Sequence, residues 1–316
     1  MIETVGLLLL GFILIIVASD ILVDSASSVA IKCKVPKMLI ALTIVSFGTC
    51  APEIAISFNS VASHNGTIAF ANVIGSCIVN ILLIVGLASF LHPIKVKNST
   101  VKRELPILTI TTAVFSTLIL DSMFNKEHLN VFSRADGIIL VLLFSIFVLY
   151  LIRLVRNRDK NQAHIKQKYT LPQSIILLII SLVAITWSSD LIVDNALIIA
   201  NELNLSEKFI TMFLIVIATS LPELFMTVSS ARKKEYDIAI GNIIGTNIFN
   251  ICIVLGAPIV IYGDLKIVDF KIIDIFVLFL SSAILQLFAH SEKVISKREG
   301  LIMFIIFSMY YLYLAF

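Results

Sequence analysis

Two glutamates stand inside long apolar runs, Glu53 and Glu223, each directly after a proline, Pro52 or Pro222. An acidic side chain at the centre of a membrane span costs roughly 2.5–3.5 kcal/mol on insertion scales, so it usually marks an ion path or a proton relay. Proline withdraws a backbone donor and frees the carbonyl four residues earlier, here that of Gly48 or Ala218. At helical spacing Thr49, Glu53 and Ser57 share one face, as do Thr219, Glu223 and Thr227. In the next apolar run Asn72, Ser76 and Asn80 form a second stripe, which Asn242, Thr246 and Asn250 repeat. Stripes of this kind, facing each other, make a cage of oxygen ligands. Two ionised carboxylates are balanced by one Ca²⁺ or two Na⁺, and Ca²⁺ takes about 6–8 oxygens. No histidine falls within the spans, so Zn²⁺ or Cu²⁺ is less suited. A cage that either Ca²⁺ or Na⁺ can occupy, but not both, is what an antiporter requires. A glutamate that merely ties helices together is the competing reading; two copies with the same proline, hydroxyl and amide neighbours tell against it.

The elements that must hold such a cage are membrane helices. Of the 316 residues, 59% are hydrophobic and only 14% charged, too few polar side chains to coat a soluble surface. A soluble enzyme, a nucleic-acid binder and a disordered chain are thereby excluded. The net charge of +3 draws no polyanion, and the expected partners are the lipid bilayer and the ions, with no obligate protein partner evident. Cys33, Cys50, Cys77 and Cys252 lie in or beside apolar stretches, without metal-pair spacing, and a disulfide framework is not expected. Residues 5–19 read as a permanent helix, because Glu3 precedes them instead of a basic region and the segment recurs in mid-chain. Runs of the ~20 apolar residues that a span needs predict ten transmembrane helices, near 4–24, 38–61, 67–91, 105–121, 133–152, 171–192, 208–230, 237–261, 272–289 and 300–316.

Nineteen of the 24 basic residues fall in alternate loops: Lys32, Lys34 and Lys37; Lys95, Lys97, Lys102 and Arg103; the run from Arg153 to Lys168; Arg232, Lys233 and Lys234; and Lys293, Lys297 and Arg298. Cytoplasmic loops carry the excess of Lys and Arg, so both termini are expected outside and the linker of about 154–170 in the cytoplasm. Asp20, Asp24, Asp190 and Asp194 lie near span ends and read as interfacial or cap residues, with an ion vestibule as the alternative. The chain also repeats itself at an offset of 170. Thr49-Cys50-Ala51-Pro52-Glu53 matches Thr219-Ser220-Leu221-Pro222-Glu223, residues 72–80 match 242–250, Gly86 matches Gly256, and 19–24 match 189–194, all without a gap. Five spans per repeat is an odd number, so the second copy enters the membrane upside down. The expectation is an all-α polytopic membrane protein: one transmembrane domain over 1–316, with inverted five-helix repeats at about 1–153 and 171–316. Inverted repeats are the architecture of many secondary transporters, with the site at the midplane.

Gly48-Thr49-x-x-Pro52-Glu53, followed by Asn72-x-x-Gly75-Ser76-x-x-x-Asn80 and repeated in the second half, resembles the paired alpha-repeats of the sodium/calcium exchanger family. The short linker makes the chain similar to prokaryotic members, and a multi-pass plasma-membrane protein without cofactor is expected, with Na⁺ and Ca²⁺ as transported ions. The resemblance implies that Glu53 and Glu223 are shared by both ions, and that Thr49 and Thr219 add oxygens to the Ca²⁺ site. It implies that Asn80 and Asn250 flank the middle of the cage. Ser76, Thr246 and Ser220 would line Na⁺ sites, with carbonyls near Ser46 and Val216. It further implies exchange of three Na⁺ for one Ca²⁺, by two helices sliding over a core of eight. Cys50 stands where the family usually has Ser; a thiol is a poor Na⁺ ligand, which weakens one Na⁺ site. Asn250 is Asp in some members, so this cage holds two carboxylates and not three, which argues against K⁺ dependence. An H⁺/Ca²⁺ antiporter using the same carboxylates stays open as the alternative, because protons compete for buried glutamates. An intramembrane enzyme lacks its motifs: there is no His-Glu-x-x-His and no span carries a central His.

Overall fold

The computed structural model describes residues 2–124, 131–156, 168–202, 216–266 and 271–315. The helices are α1 (Ile2–Lys32), α2 (Lys37–Thr49), α3 (Ala51–Ala62), α4 (Gly66–Leu91), α5 (Asn98–Lys102), α6 (Glu104–Phe124) and α7 (Arg134–Arg156) in the first half. The second half holds α8 (Leu171–Glu202), α9 (Val216–Thr219), α10 (Leu221–Arg232), α11 (Tyr236–Tyr262), α12 (Ile272–Ser291) and α13 (Lys297–Ala315). Among the described residues seven helices are long and apolar enough to cross a membrane, or eight if the bent pair α2 and α3 is one span. The expected spans at 208–230 and 300–316 are not in that set. Residues 203–215 lie outside the described residues, and α13 opens on Lys297, Arg298 and Glu299, which shortens its apolar run.

The molecule is inside-out relative to a soluble protein. Leu9, Ile13, Ile146, Val183, Leu287 and Met309 are all more than half exposed, whereas Glu53, Glu223, Asn80 and Asn250 are fully buried. Apolar side chains facing outward all round a helical bundle suit lipid as the solvent.

The prolines do not free a carbonyl from within one continuous helix, as their place in the apolar runs suggests. The chain breaks outright at Cys50 (φ −75°, ψ 5°) and at Ser220 (φ −89°, ψ 6°), and α2 and α3 meet at 54°. Pro52 and Pro222 then sit in the first turn of a new helix, where a missing N–H leaves nothing unpaired and the fixed φ is already helical. The carbonyls are released by the end of the preceding helix and not by a proline in mid-helix. Widened i→i+5 turns occur at Ala41–Val45, Val79–Val85 and Asn250–Leu255, close to the breaks or to the asparagine stripes.

The two halves clasp each other reciprocally. Strand β1 (Ile94–Lys95), after α4, pairs antiparallel with β4 (Val294–Ile295), before α13. Strand β3 (Leu265–Lys266), after α11, pairs likewise with β2 (Val131–Phe132), before α7. The same exchange recurs in the helices. Gly86 of α4 crosses Gly300 of α13, and Gly256 of α11 crosses Gly137 of α7; at each crossing a glycine Cα faces the other's carbonyl oxygen. Small residues let membrane helices approach until their backbones touch.

The first helices of the two halves, α1 and α8, lie along each other, with Gly11 against Ile192 and the Ser188 carbonyl. With Ile40, Val45, Leu221, Met226 and Ile238 of neighbouring helices they form a second hydrophobic cluster around Ile15, Leu22, Ile185 and Ile192, separate from the main core. Polar groups hold one end of α1 to the α10–α11 corner. Asp20 accepts from Ser229 and pairs with Arg232; Asp24 pairs with Lys233 at 2.7 Å and Lys168 at 2.5 Å. Ser27 Oγ donates to Glu235 at 3.1 Å, which also pairs with Lys37 at 2.7 Å.

Candidate functional site

Glu53 lies in the first turn of α3 and Glu223 in the first turn of α10. Each carboxylate therefore stands at the positive end of a helix dipole, the location that best tolerates negative charge. Both residues are fully buried, all four of their carboxylate oxygens lack a hydrogen-bond partner, and the two side chains are close enough to repel each other. Ser76 lies beside Glu53 and Thr49 beside Glu223, so each carboxylate faces a hydroxyl from a neighbouring helix. Cys50, also fully buried, stands at the break beside Glu53, Glu223 and Thr246.

Asparagines fasten the frame. Asn72 Nδ2 donates to the Glu53 carbonyl at 3.1 Å and to Ser57 Oγ at 2.9 Å, tying α3 to α4. Its counterpart Asn242 works on another helix: its carbonyl accepts from Ser46 Oγ at 3.1 Å, and its Oδ1 accepts a long 3.5 Å bond from Thr49 Oγ1. The contact between α2 and α11 depends on Gly241 and Gly245, spaced four apart. A Cβ at Gly245 would stand 2.3 Å from Ser46 Oγ and 2.9 Å from Leu42 Cα. In this conformation the Ser46 carbonyl is engaged, accepting from Cys50 N at 3.1 Å and from Thr49 Oγ1 at 3.3 Å.

Ten buried oxygens around the two breaks and the asparagine stripes have no partner: two each from Glu53 and Glu223, and one each from Ser76, Asn80, Ser220, Thr227, Thr246 and Asn250. Buried polar atoms are normally hydrogen-bonded, because leaving one unpaired costs about 1–3 kcal/mol and more for a charge. A bound cation would supply the missing partners. Among the described residues no three His, Cys, Asp or Glu side chains converge as a metal cluster, so a bound ion would draw on hydroxyls, amides and carbonyls beside the two carboxylates, a hard-cation set. Thr219 is buried at the end of α9, and Val216 opens that helix with its side chain outside the described residues.

A cavity of about 590 Å³ opens between α1 and the α10–α11 corner, lined by Asp20, Asp24, Lys168, Lys233 and Glu235. Its carboxylates are matched by cations, and the bond from Asp24 raises the Lys168 ammonium above the ordinary lysine pKa. A charge-balanced wall of this kind does not concentrate cations, so the vestibule reading of Asp20 and Asp24 gains no support. Asp190 and Asp194 are exposed.

The residue missed from the sequence is Asn247. It is buried at 1% exposure, and its Oδ1 accepts from Asn80 Nδ2 at 3.0 Å. The 170-residue offset sets it against Cys77, and that polar-for-thiol mismatch within an otherwise matching stripe was the signal available.

An apolar helical bundle whose buried centre is lined with unpartnered oxygens is a membrane transport protein for cations. Residues 3–153 and 173–316 match the family model described as sodium/calcium exchanger protein. The inner membrane protein YrbG of Escherichia coli is 35% identical over 270 residues, spanning 83% of this chain and 81% of that protein. The sodium/calcium exchanger MaX1 of Methanosarcina acetivorans is 29% identical over 334 residues, 94% of each. A structure of the sodium-calcium exchanger NCX_Mj, soaked with 2.5 mM Na⁺ and 0.1 mM Ca²⁺, superposes with a TM-score of 0.82 at 30% identity, over 98% of this chain and 97% of that one. The chain belongs to the sodium/calcium exchanger family, a family of multi-pass membrane cation/calcium antiporters.

Proposed function

We propose that the protein exchanges Na⁺ for Ca²⁺ by alternating access, the two ions competing for a cage centred on Glu53 and Glu223. The observation that carries this reading is the pair of fully buried carboxylates, each facing a hydroxyl but with no well-formed hydrogen bond to any of the four oxygens. Thr49 and Thr219 complete the Ca²⁺ site; Ser76, Thr246, Ser220, Asn80, Asn250, Cys50 and the carbonyls of Ser46 and Val216 serve Na⁺. The Ser46 carbonyl must first release its two donors, so its use belongs to another state of the α2 helix end. Ten spans form two inverted repeats, about 1–153 and 171–316, with both termini outside and the linker of about 154–170 in the cytoplasm. The asymmetry of Lys and Arg between alternate loops supports that orientation. The cell membrane of a prokaryote is the expected location. Three Na⁺ against one Ca²⁺ moves one net charge per cycle, worth about 2.3 kcal/mol per 100 mV.

The second reading, H⁺/Ca²⁺ exchange, has Cys50 in its favour, since a thiol at the break replaces an oxygen that Na⁺ would use. Proteoliposomes loaded with Na⁺ and diluted into Na⁺-free buffer at matched pH separate the two. Ca²⁺ uptake that vanishes without internal Na⁺ is the expected result. Uptake driven only by an acid interior would transfer the protein to the proton branch, and uptake under neither gradient would remove Ca²⁺ as the substrate. In the same assay Cys50→Ser is expected to lower the Na⁺ concentration for half-maximal exchange severalfold, because a hard oxygen replaces a soft sulfur. An unchanged Na⁺ dependence would place Cys50 outside the Na⁺ shell.

A further inference from the structure

Asn80 and Asn250 occupy matching places in the two halves, and each stands in one of the widened turns. They are not equivalent. A side-chain amide has an oxygen end that a cation accepts and an NH₂ end that it repels, of nearly the same shape. Which end is presented depends on which end is held. Asn80 Nδ2 is held, donating to Asn247 Oδ1 at 3.0 Å, which leaves Asn80 Oδ1 and Asn247 Nδ2 without partners; of the two senses this amide pair can take, only this one offers a cation the Asn80 oxygen. Neither end of Asn250 is held. Symmetry would give Asn250 the residue matching Asn247, which is Cys77, and a thiol is only a weak acceptor. Cys77 Sγ instead lies 3.9 Å from the Asn247 carbonyl, packed against the residue that does the holding. Asn80, Asn247 and Cys77 are all at 1% exposure or less, so water does not compete for these bonds.

We propose that Asn247 is a positioning residue that fixes the Asn80 amide with its oxygen free for either transported cation, Ca²⁺ as well as the Na⁺ assigned to it above, making one half of the cage rigid and leaving Asn250 in the other half free to turn. The proposal rests on the exchanger reading above, and deepens it: the pseudo-symmetric cage is functionally lopsided because one of the positions at which the halves differ, Cys77 against Asn247, supplies a holder in only one of them.

The test uses the purified full-length chain. Ca²⁺ binding is read from the Ca²⁺-dependent rise in unfolding temperature, and exchange from reconstituted vesicles. Asn247→Leu removes the acceptor at similar volume. It is expected to weaken Ca²⁺ binding roughly tenfold, the usual lower range for losing a group that orients a ligand, and to raise the Ca²⁺ concentration for half-maximal exchange while the maximal rate stays within about twofold. The Asn80→Asp variant presents oxygen at both ends and needs no holder. In that background Asn247→Leu is expected to change Ca²⁺ binding less than about twofold, since the coupling between the two sites is gone. Equal losses in both backgrounds would make Asn247 a packing residue and overturn the proposal, as would an unchanged affinity in the Asn247→Leu single variant. If that variant does not fold, Asn247→Cys, which installs the residue of the other stripe, carries the same expectations. Wild-type protein that binds no Ca²⁺ would overturn the exchanger reading itself; wild-type binding with indifferent Asn247 variants would overturn only the positioning role.

Discussion

Replacing either central glutamate by glutamine, Glu53→Gln or Glu223→Gln, is expected to abolish Ca²⁺ transport and to remove Ca²⁺-dependent stabilisation while leaving the fold intact. Each substitution keeps the size of the side chain and deletes one of the two charges that balance the ion. At Ca²⁺ a hundredfold above the dissociation constant, the wild-type protein gains about 2.7 kcal/mol from binding, and the variants are expected to gain nothing measurable. Without Ca²⁺ the order reverses. A carboxylate with no hydrogen-bond partner in a fully buried site is a standing cost, so both variants should unfold at the wild-type temperature or above it. Thermal unfolding with and without Ca²⁺, run beside a flux assay, checks both halves. Transport near the wild-type rate in either variant would sink the site assignment; a fall in ion-free stability would make the glutamates structural.

The second large effect concerns the scaffold. Gly300→Ala is expected to destabilise the protein by about 3 kcal/mol or more, the upper range for overpacking, and to reduce folded yield in detergent. The added methyl would stand 2.6 Å from the Gly86 carbonyl oxygen, 2.8 Å from Phe90 N and 2.4 Å from Ser89 Oγ. Two of those three are backbone atoms, which cannot turn aside as a side-chain end can. The matching crossing is looser: a Cβ at Gly137 meets the Gly256 carbonyl oxygen at 3.0 Å and Ile259 at 3.2 Å. Gly137→Ala should therefore cost distinctly less, about 1 kcal/mol. Equal unfolding temperatures for the two variants would show that the crossings relax freely and that backbone approach does not hold α4 to α13.

The break at Cys50 shows how far a sequence reading reaches. Pro52 announces a disturbance near Glu53, and the apolar flanks announce a membrane. Whether the helix bends or stops depends on what its end is tied to: Thr49 Oγ1 donates to the Ser46 carbonyl, and the Ser46 and Thr49 hydroxyls donate to Asn242, nearly two hundred residues away. The basic loop at Arg232 and Lys233 reads as a topology signal alone until α1 is placed beside it and Asp20 and Asp24 become its partners.

The sequence by itself determined that the chain lives in lipid and that it is doubled at an offset of 170, and it singled out two glutamates with hydroxyl and amide stripes as the candidate site. Composition, helical period and the cost of burying a charge are local quantities, so they can be read along one dimension. Only the tertiary structure decided where the helices stop, which glycines cross, that the halves exchange strands, and that Asn80 is held by Asn247 while Asn250 is not. Those outcomes depend on the distance and rotation between helices far apart in sequence. A one-residue difference such as Asn247 against Cys77 acquires its meaning only from what stands opposite it.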